Sequence, residues 1–152
     1  VEEIFTDLTP LAEKSGITLE LAGDGVMTGS DALIYRMIFN LTENAIKYNR
    51  PDGSVRVCIT QEPEKLLILV SDTGRGIPEE YQQSIFQPFF RVDKSRSRTF
   101  GGAGLGLALV WEIANLHGGS VRVAESSDSG TTIAAELPRS GNHAADPKNE
   151  ML

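Results

Sequence analysis

The chain has 152 residues, 40% of them apolar and 23% charged, with a net charge of −7. That suffices for one domain with a real core, is too acidic for general nucleic-acid binding, and includes no apolar run long enough to cross a membrane. A single cysteine, Cys58, excludes an internal disulfide and a cysteine-based metal cage, and suits a reducing compartment.

No secretory leader is legible, and a chain that begins at Val1 reads as a piece of something longer. In chain order, Val1 to Lys14 places Ile4, Phe5, Leu8 and Leu11 near helical spacing; Pro10 lies inside, so the helix is expected to be kinked or split there. Gly16 closes it, and Ile17 to Leu21 alternates like a half-buried strand. Residues 22–29 are turn-rich, with room for a short strand at Val26 to Thr28. Ser30 is the expected N-cap of a long helix from Asp31 to about Tyr48. Leu33, Ile34, Met37, Ile38, Leu41 and Ala45 give that helix a broad apolar face. Arg36, Asn40, Asn44 and Lys47, three or four apart, share another face. Asparagine is a mediocre helix former, so two on one face need a reason: a solvated surface, or two amide oxygens aimed at a cation or ligand.

Asn49 to Gly53 is a turn, and Ser54 to Thr60 with Lys65 to Ser71 reads as a hairpin. The second strand is almost continuously apolar, as expected of a central strand covered on one face by helices. Asp72 ends it, followed by TGRGIP; a carboxylate there suits ligand contact or a plain Asx-type turn. Pro78 opens a predicted short helix, PEEYQQSIF. Another helix runs from Gly104 or Leu105 to Leu116, with Leu105, Leu109, Ile113 and Leu116 on one side, Trp111 as a packing residue, and His117 with two glycines closing it. VRVAE and TTIAAELP form two last strands. Cys58, in the strand-like VRVCIT, is expected to be a small buried thiol and no nucleophile. Residues 1–138 thus make one domain, a two-layer α/β sandwich whose mixed, mainly antiparallel sheet is covered on one face by helices. Residues 139–152 read as a disordered tail.

Between Phe89 and Val110 four cations, Arg91, Lys94, Arg96 and Arg98, precede a glycine-rich run that turns into a helix. Backbone N–H groups and the positive end of a helix dipole suit an anion there, although such loops also serve as surface linkers. Familiar phosphate motifs are missing. GxxxxGK[ST], HRD and DFG do not occur, and the glycines follow a basic loop where a dinucleotide turn needs them after a first strand.

Four ordered segments together are specific. NLTENAIKY (Asn40 to Tyr48), DTGRG (Asp72 to Gly76), FQPFFR (Phe86 to Arg91) and GGAGLGL (Gly101 to Leu107) resemble the N, G1, F and G2 boxes of bacterial sensor histidine kinases. LHGG at Leu116 and SGTT at Ser129 resemble segments that usually follow, so the resemblance runs from about Ile4 to Pro138. It implies the Bergerat ATP-binding fold shared with Hsp90-type chaperones, gyrase and mismatch-repair ATPases. It also implies roles, with ATP and Mg²⁺ as ligands. Asn44, supported by Asn40, would hold Mg²⁺ through hard amide oxygens. Lys47 would reach the phosphates and Tyr48 would pack by the adenine. Asp72 would accept the adenine amino group, and Gly74 and Gly76 would let the backbone approach the base. Ile77, Phe90 and Leu105 would line the nucleotide, with Thr131 or Thr132 supporting the adenine pocket. Arg91, with Lys94, Arg96 or Arg98, would touch the phosphates from a mobile lid. Gly102, Gly104 and Gly106 would form its hinge and the phosphate-facing helix start.

The resemblance further implies a γ-phosphoryl transfer to a histidine on a dimerisation domain of the same kinase, and then to the aspartate of a response regulator receiver domain. Neither His117 nor His143 sits in a His-then-acid motif, so this chain is expected to bind Mg-ATP as a monomer without phosphorylating itself. A cytoplasmic location and no direct membrane contact are expected, with a homodimeric parent that can be membrane-anchored. Three other readings compete. Chaperone- or gyrase-type ATPases carry a water-activating glutamate one turn before the metal-binding Asn, where this chain has Asn40. A non-catalytic nucleotide-binding module would not need the full motif set. Serine-directed anti-sigma kinases share the fold, and the FQPFFR segment and the long basic lid of this chain argue against that reading.

Overall fold

A computed structural model of the chain describes residues 1–88 and 106–139. Helix α1 (Glu2–Ser15) buries Ile4, Leu8 and Ala12, one turn apart, and ends at Gly16, whose φ of 70° places it in the left-handed region. It is one continuous helix despite Pro10. Pro10 and Thr6 are both exposed, so the carbonyl left without an N–H partner by the proline meets solvent.

Strand β1 (Thr18–Gly23) leads through an irregular stretch to α2 (Asp31–Lys47). The Ser30 hydroxyl accepts the Leu33 N–H, the expected cap. Residues Val26 to Thr28 form no strand: the Val26 N–H is taken by the Gln61 side chain and the Thr28 N–H by the Arg139 carbonyl, leaving nothing for a ladder. Strands β2 (Ser54–Gln61) and β3 (Lys65–Asp72) make the predicted hairpin. The PEEYQQSIF segment is two 3₁₀ turns, Glu79–Tyr81 and Ser84–Phe86, and not one α-helix. Ile85 is the one buried residue in those two turns, too little apolar face to hold a longer helix. Helix α3 (Gly106–Leu116) and the hairpin β4 (Ser120–Ser127) with β5 (Gly130–Pro138) complete the described elements.

The sheet runs β1-β2-β3-β5-β4, parallel between β1 and β2 and antiparallel elsewhere. β3 is central, as its apolar sequence requires. Its inward residues Leu66, Ile68 and Val70 pair with Leu137, Ala135 and Ile133 of β5, and α2 covers this face with Met37, Leu41 and Ala45. The opposite face carries no described helix, and Cys58 lies there half-exposed in register with Leu69 where burial was expected.

On α3 the inward side is Ala108, Val110, Ile113 and Ala114, so the expected stripe is displaced: Leu116 is exposed, and Trp111 is 49% exposed instead of packed. The small residues let α3 lie close to α2. His117 joins them. Only 1% exposed, it accepts the Ser30 N–H at Nε2 (3.2 Å), while Nδ1 lies 2.9 Å from the Ile113 carbonyl, which assigns the ring proton to Nδ1. The start of α2 is thereby tied to the end of α3, which brings the other ends of both helices to the side where β3 finishes. At the far edge, Arg139 donates to the carbonyls of Val26 and Glu62, so the chain stays anchored one residue past β5.

Candidate functional site

The C-terminal half of α2 and the C-terminal end of β3 meet at Gly74. A methyl group on Gly74 would come within 2.6 Å of the Tyr48 carbonyl oxygen and 3.1 Å of Asp72 Oδ1, so a side chain there would push the two elements apart. Gly76 adopts φ 82°, and a Cβ on it would strike the Ser127 carbonyl at 2.1 Å. Both glycines of DTGRG are therefore needed for the loop to pass between α2 and the β4–β5 turn.

Asp72 is half-buried at this junction. Its Oδ1 accepts the Gly74 N–H at 2.9 Å, which is the Asx turn, and also the Thr131 N–H at 3.2 Å. Among the described residues Oδ2 has no hydrogen-bond partner. The two readings of Asp72, turn former and ligand acceptor, are thus compatible: one oxygen shapes the loop and the other is available to a donor. Burial holds the carboxyl above its ordinary value, and the two backbone donors offset this only in part. Thr131, 5% exposed, shares a 2.8 Å hydrogen bond with the Ser126 hydroxyl, which in turn accepts the Ile77 N–H at 2.8 Å. Ile77 is so linked to Asp72 through Ser126 and Thr131.

On α2, Asn40 and Asn44 are one turn apart on the face shared with Lys47, and both are half-buried. Neither side-chain amide has a partner among the described residues. Lys47 lies 3.6 Å from Glu43, the favourable order for an i, i+4 pair. Tyr48 caps α2, with its N–H on the Asn44 carbonyl. No group of three or more His, Cys, Asp or Glu able to hold a metal occurs among the described residues. Any cation here would meet amide oxygens, a neutral hard donor set.

Of the expected site residues, the structure brings together Asp72, Gly74, Gly76, Ile77 and Thr131 in one hydrogen-bonded cluster, and Gly74 packs it against Tyr48, at the end of the α2 face that carries Asn40, Asn44 and Lys47. Gly106 opens α3. Phe90, Arg91, Lys94, Arg96, Arg98, Gly102, Gly104 and Leu105 lie outside the described residues. Ser126, Asn49 and Thr73 were not anticipated. Ser126 sits in a plain strand sequence, and nothing in it signals contact with Ile77, 49 positions away.

The profile of the histidine kinase-, DNA gyrase B- and HSP90-like ATPases matches residues 29–141. The sensor histidine kinase RppB of Synechocystis is 38% identical over 117 residues, 77% of this chain and 26% of RppB. WalK of Bacillus subtilis is 40% identical over 107 residues, 69% of this chain and 18% of WalK. The chain therefore spans about a quarter or less of these relatives. Among solved structures, the nucleotide-free catalytic domain of the histidine kinase ThkA superposes with a TM-score of 0.80 at 25% identity, covering 93% of this chain and 91% of that one. The mycobacterial sensor histidine kinase MprB gives 0.76 at 30% identity, over 90% and 93%. The open five-stranded sheet with its helices is the Bergerat fold, and the chain belongs to the family of histidine kinase-, DNA gyrase B- and HSP90-like ATPases.

Proposed function

We propose that this chain is the Mg-ATP-binding catalytic domain of a sensor histidine kinase. It would pass the γ-phosphoryl group to a histidine of a helical dimerisation domain in the same parent protein. The observation that carries this reading is that Asp72, held by the Thr131 N–H, sits beside Gly74, which packs on the Tyr48 carbonyl at the end of the α2 face that carries Asn40, Asn44 and Lys47. In this reading, Asp72 Oδ2 accepts the 6-amino group of adenine, where guanine would present a carbonyl oxygen to the carboxylate, while Tyr48 and Ile77 border the ring. Lys47 turns from Glu43 to the phosphates, and the cations at Arg91 to Arg98 add to it from the lid.

The amides of Asn44 and Asn40 fit Mg²⁺, which prefers hard oxygen ligands and keeps several waters. When bound, the ion neutralises charge on the triphosphate. This chain's own work is to hold the γ-phosphorus in line with the incoming imidazole. Histidine Nε2 forms the new N–P bond, the bond from phosphorus to the β,γ-bridging oxygen breaks, and ADP leaves. Transfer onward to a receiver-domain aspartate would follow. A cytoplasmic site for this chain, one that uses ATP, belongs to the same reading. Among the described residues no helix is long and apolar enough to cross a membrane.

Hydrolysis is the competing chemistry, and it lacks a base. Asn40 stands where the resemblance leads one to expect a water-activating glutamate in the hydrolytic relatives, and the neighbouring carboxylate Glu43 is engaged by Lys47. Titrating the chain with a non-hydrolysable ATP analogue, with and without Mg²⁺, tests binding. Adding the parent's His-bearing helical segment with ATP tests transfer, read as an acid-labile, alkali-stable phosphate on that segment. A steady ATPase rate from this chain alone, lost in Asn40→Ala, would sink the transfer reading.

A further inference from the structure

Asn49 and Thr73 lie outside the nucleotide-contacting set, yet they stand between its two halves. Asn49 follows Tyr48 at the end of α2 and is only 4% exposed; Thr73 follows Asp72 at the end of β3 and is exposed. With the backbone of Ser54 they close a ring of three hydrogen bonds. The Thr73 hydroxyl donates to Asn49 Oδ1 at 2.9 Å, Asn49 Nδ2 donates to the Ser54 carbonyl at 2.8 Å, and the Ser54 N–H donates to Thr73 Oγ1 at 2.9 Å. Asn49 Oδ1 also accepts the Arg50 N–H at 2.8 Å, so the amide's orientation is set by donors on both sides. In such a ring each hydroxyl or amide gives and accepts, and each bond polarises the next.

The ring has no room for looser versions of itself. A Cβ on Gly53 would lie 2.4 Å from both Asn49 Oδ1 and Thr73 Oγ1. The β2–β3 ladder ends at the Val55–Asp72 pair, and the ring extends that pairing by one side-chain step onto the end of α2.

We infer that Asn49 and Thr73 are positioning residues that hold the adenine half of the site, on β3, at a fixed distance from the phosphate half, on α2. This rests on the ATP reading above. Mg-ATP is a two-headed ligand: its adenine meets Asp72, while its phosphates meet Lys47 and its Mg²⁺ meets Asn44. Its affinity exceeds that of either fragment because the second contact is made at high effective concentration, and that gain vanishes when the two half-sites drift relative to each other. Loss of the ring should therefore weaken the whole ligand and spare the fragments.

The test uses the 152-residue chain with three ligands: Mg-ATP, adenosine and Mg-tripolyphosphate. Thr73→Val keeps the shape and removes the hydroxyl; Thr73→Ser keeps the hydroxyl. In Thr73→Val, ATP affinity should fall about tenfold, with adenosine and tripolyphosphate affinities unchanged, and Thr73→Ser should restore ATP binding. Gly53→Ala, which drives a methyl into the ring from another direction, should reproduce the valine pattern. Equal losses for all three ligands, or no loss for ATP, would overturn the inference, as would a loss of adenosine matching that of ATP. Wild-type chain that fails to bind ATP at all would bring down the ATP reading, and this positioning role with it.

Discussion

The two halves of the site are built in opposite ways. The pocket around Asp72 is made of backbone: two N–H groups converge on one carboxylate oxygen, and Ser126 and Thr131 are hydrogen-bonded into its wall. The α2 face is made of side chains, and its two amides have no partner among the described residues. The first half is fixed by its own hydrogen bonds, whereas on the proposed function the amides of the second would be oriented by the ligand. A base is a rigid planar object that rewards a preformed pocket. A hydrated, charged triphosphate with its ion rewards groups free to reorient.

Asp72→Asn should give the largest effect and split binding from stability. The amide oxygen can keep both backbone N–H bonds, which puts the NH₂ group where Oδ2 was, facing the adenine amino donor. ATP affinity should fall roughly 100-fold, about 2.7 kcal/mol, by calorimetric titration. The nucleotide-free chain should unfold at an equal or higher temperature, because a buried charge is gone. The sign of the pH dependence follows. Asp72 is raised in the folded chain, so its contribution to stability is fully present below the ordinary carboxylate value and is lost as pH rises through the raised one. The melting-temperature advantage of Asp72→Asn should therefore widen across the window that begins at the ordinary carboxylate value and runs upward in pH. A constant advantage would mean Asp72 does not titrate in that window.

Asn44→Ala addresses the other half. It should reduce the Mg²⁺-dependent part of ATP affinity about tenfold and leave adenosine binding and the melting temperature unchanged, since the amide has no partner among the described residues to lose. A stability loss would show that the amide is already engaged. Ser126→Ala removes the acceptor of the Ile77 N–H, so the preformed half should loosen by about 1 kcal/mol, lowering adenosine and ATP affinity together. Smallest of all, Glu43→Gln removes an i, i+4 pair worth about 0.3–0.5 kcal/mol in folding. It should raise ATP affinity slightly by removing the carboxylate that competes with the phosphates for Lys47; a fall would assign Glu43 a direct part in the site.

The local elements were legible because their causes are local. The Ser30 cap, the Gly16 stop, both antiparallel hairpins and the apolar β3 each depend on residues within a few positions of one another. Errors appear where neighbours in space decide. The spacing that put Leu116 on the inward stripe, and the reading of Trp111 as a packing residue, cannot know that α3 presents its alanines to α2, and an alternating VRVCIT cannot know that one sheet face stays without a described helix. The 3₁₀ turns after Pro78 arise because Ile85 alone is buried there.

By itself, the sequence determined which residue types recur at motif spacing. Asn40, Asn44 and Lys47 share a helix face because 3.6 residues make a turn, and Asp72 precedes two glycines because a loop must pass closely there. The tertiary structure alone decided which of them meet. Inserting β5 between β3 and β4 brings the Thr131 N–H onto Asp72, 59 positions away, and the Asn49–Ser54–Thr73 ring links the end of α2 to that strand. No local rule contains these contacts, because they are made by groups whose separation is set by sheet order and helix packing and not by distance along the chain.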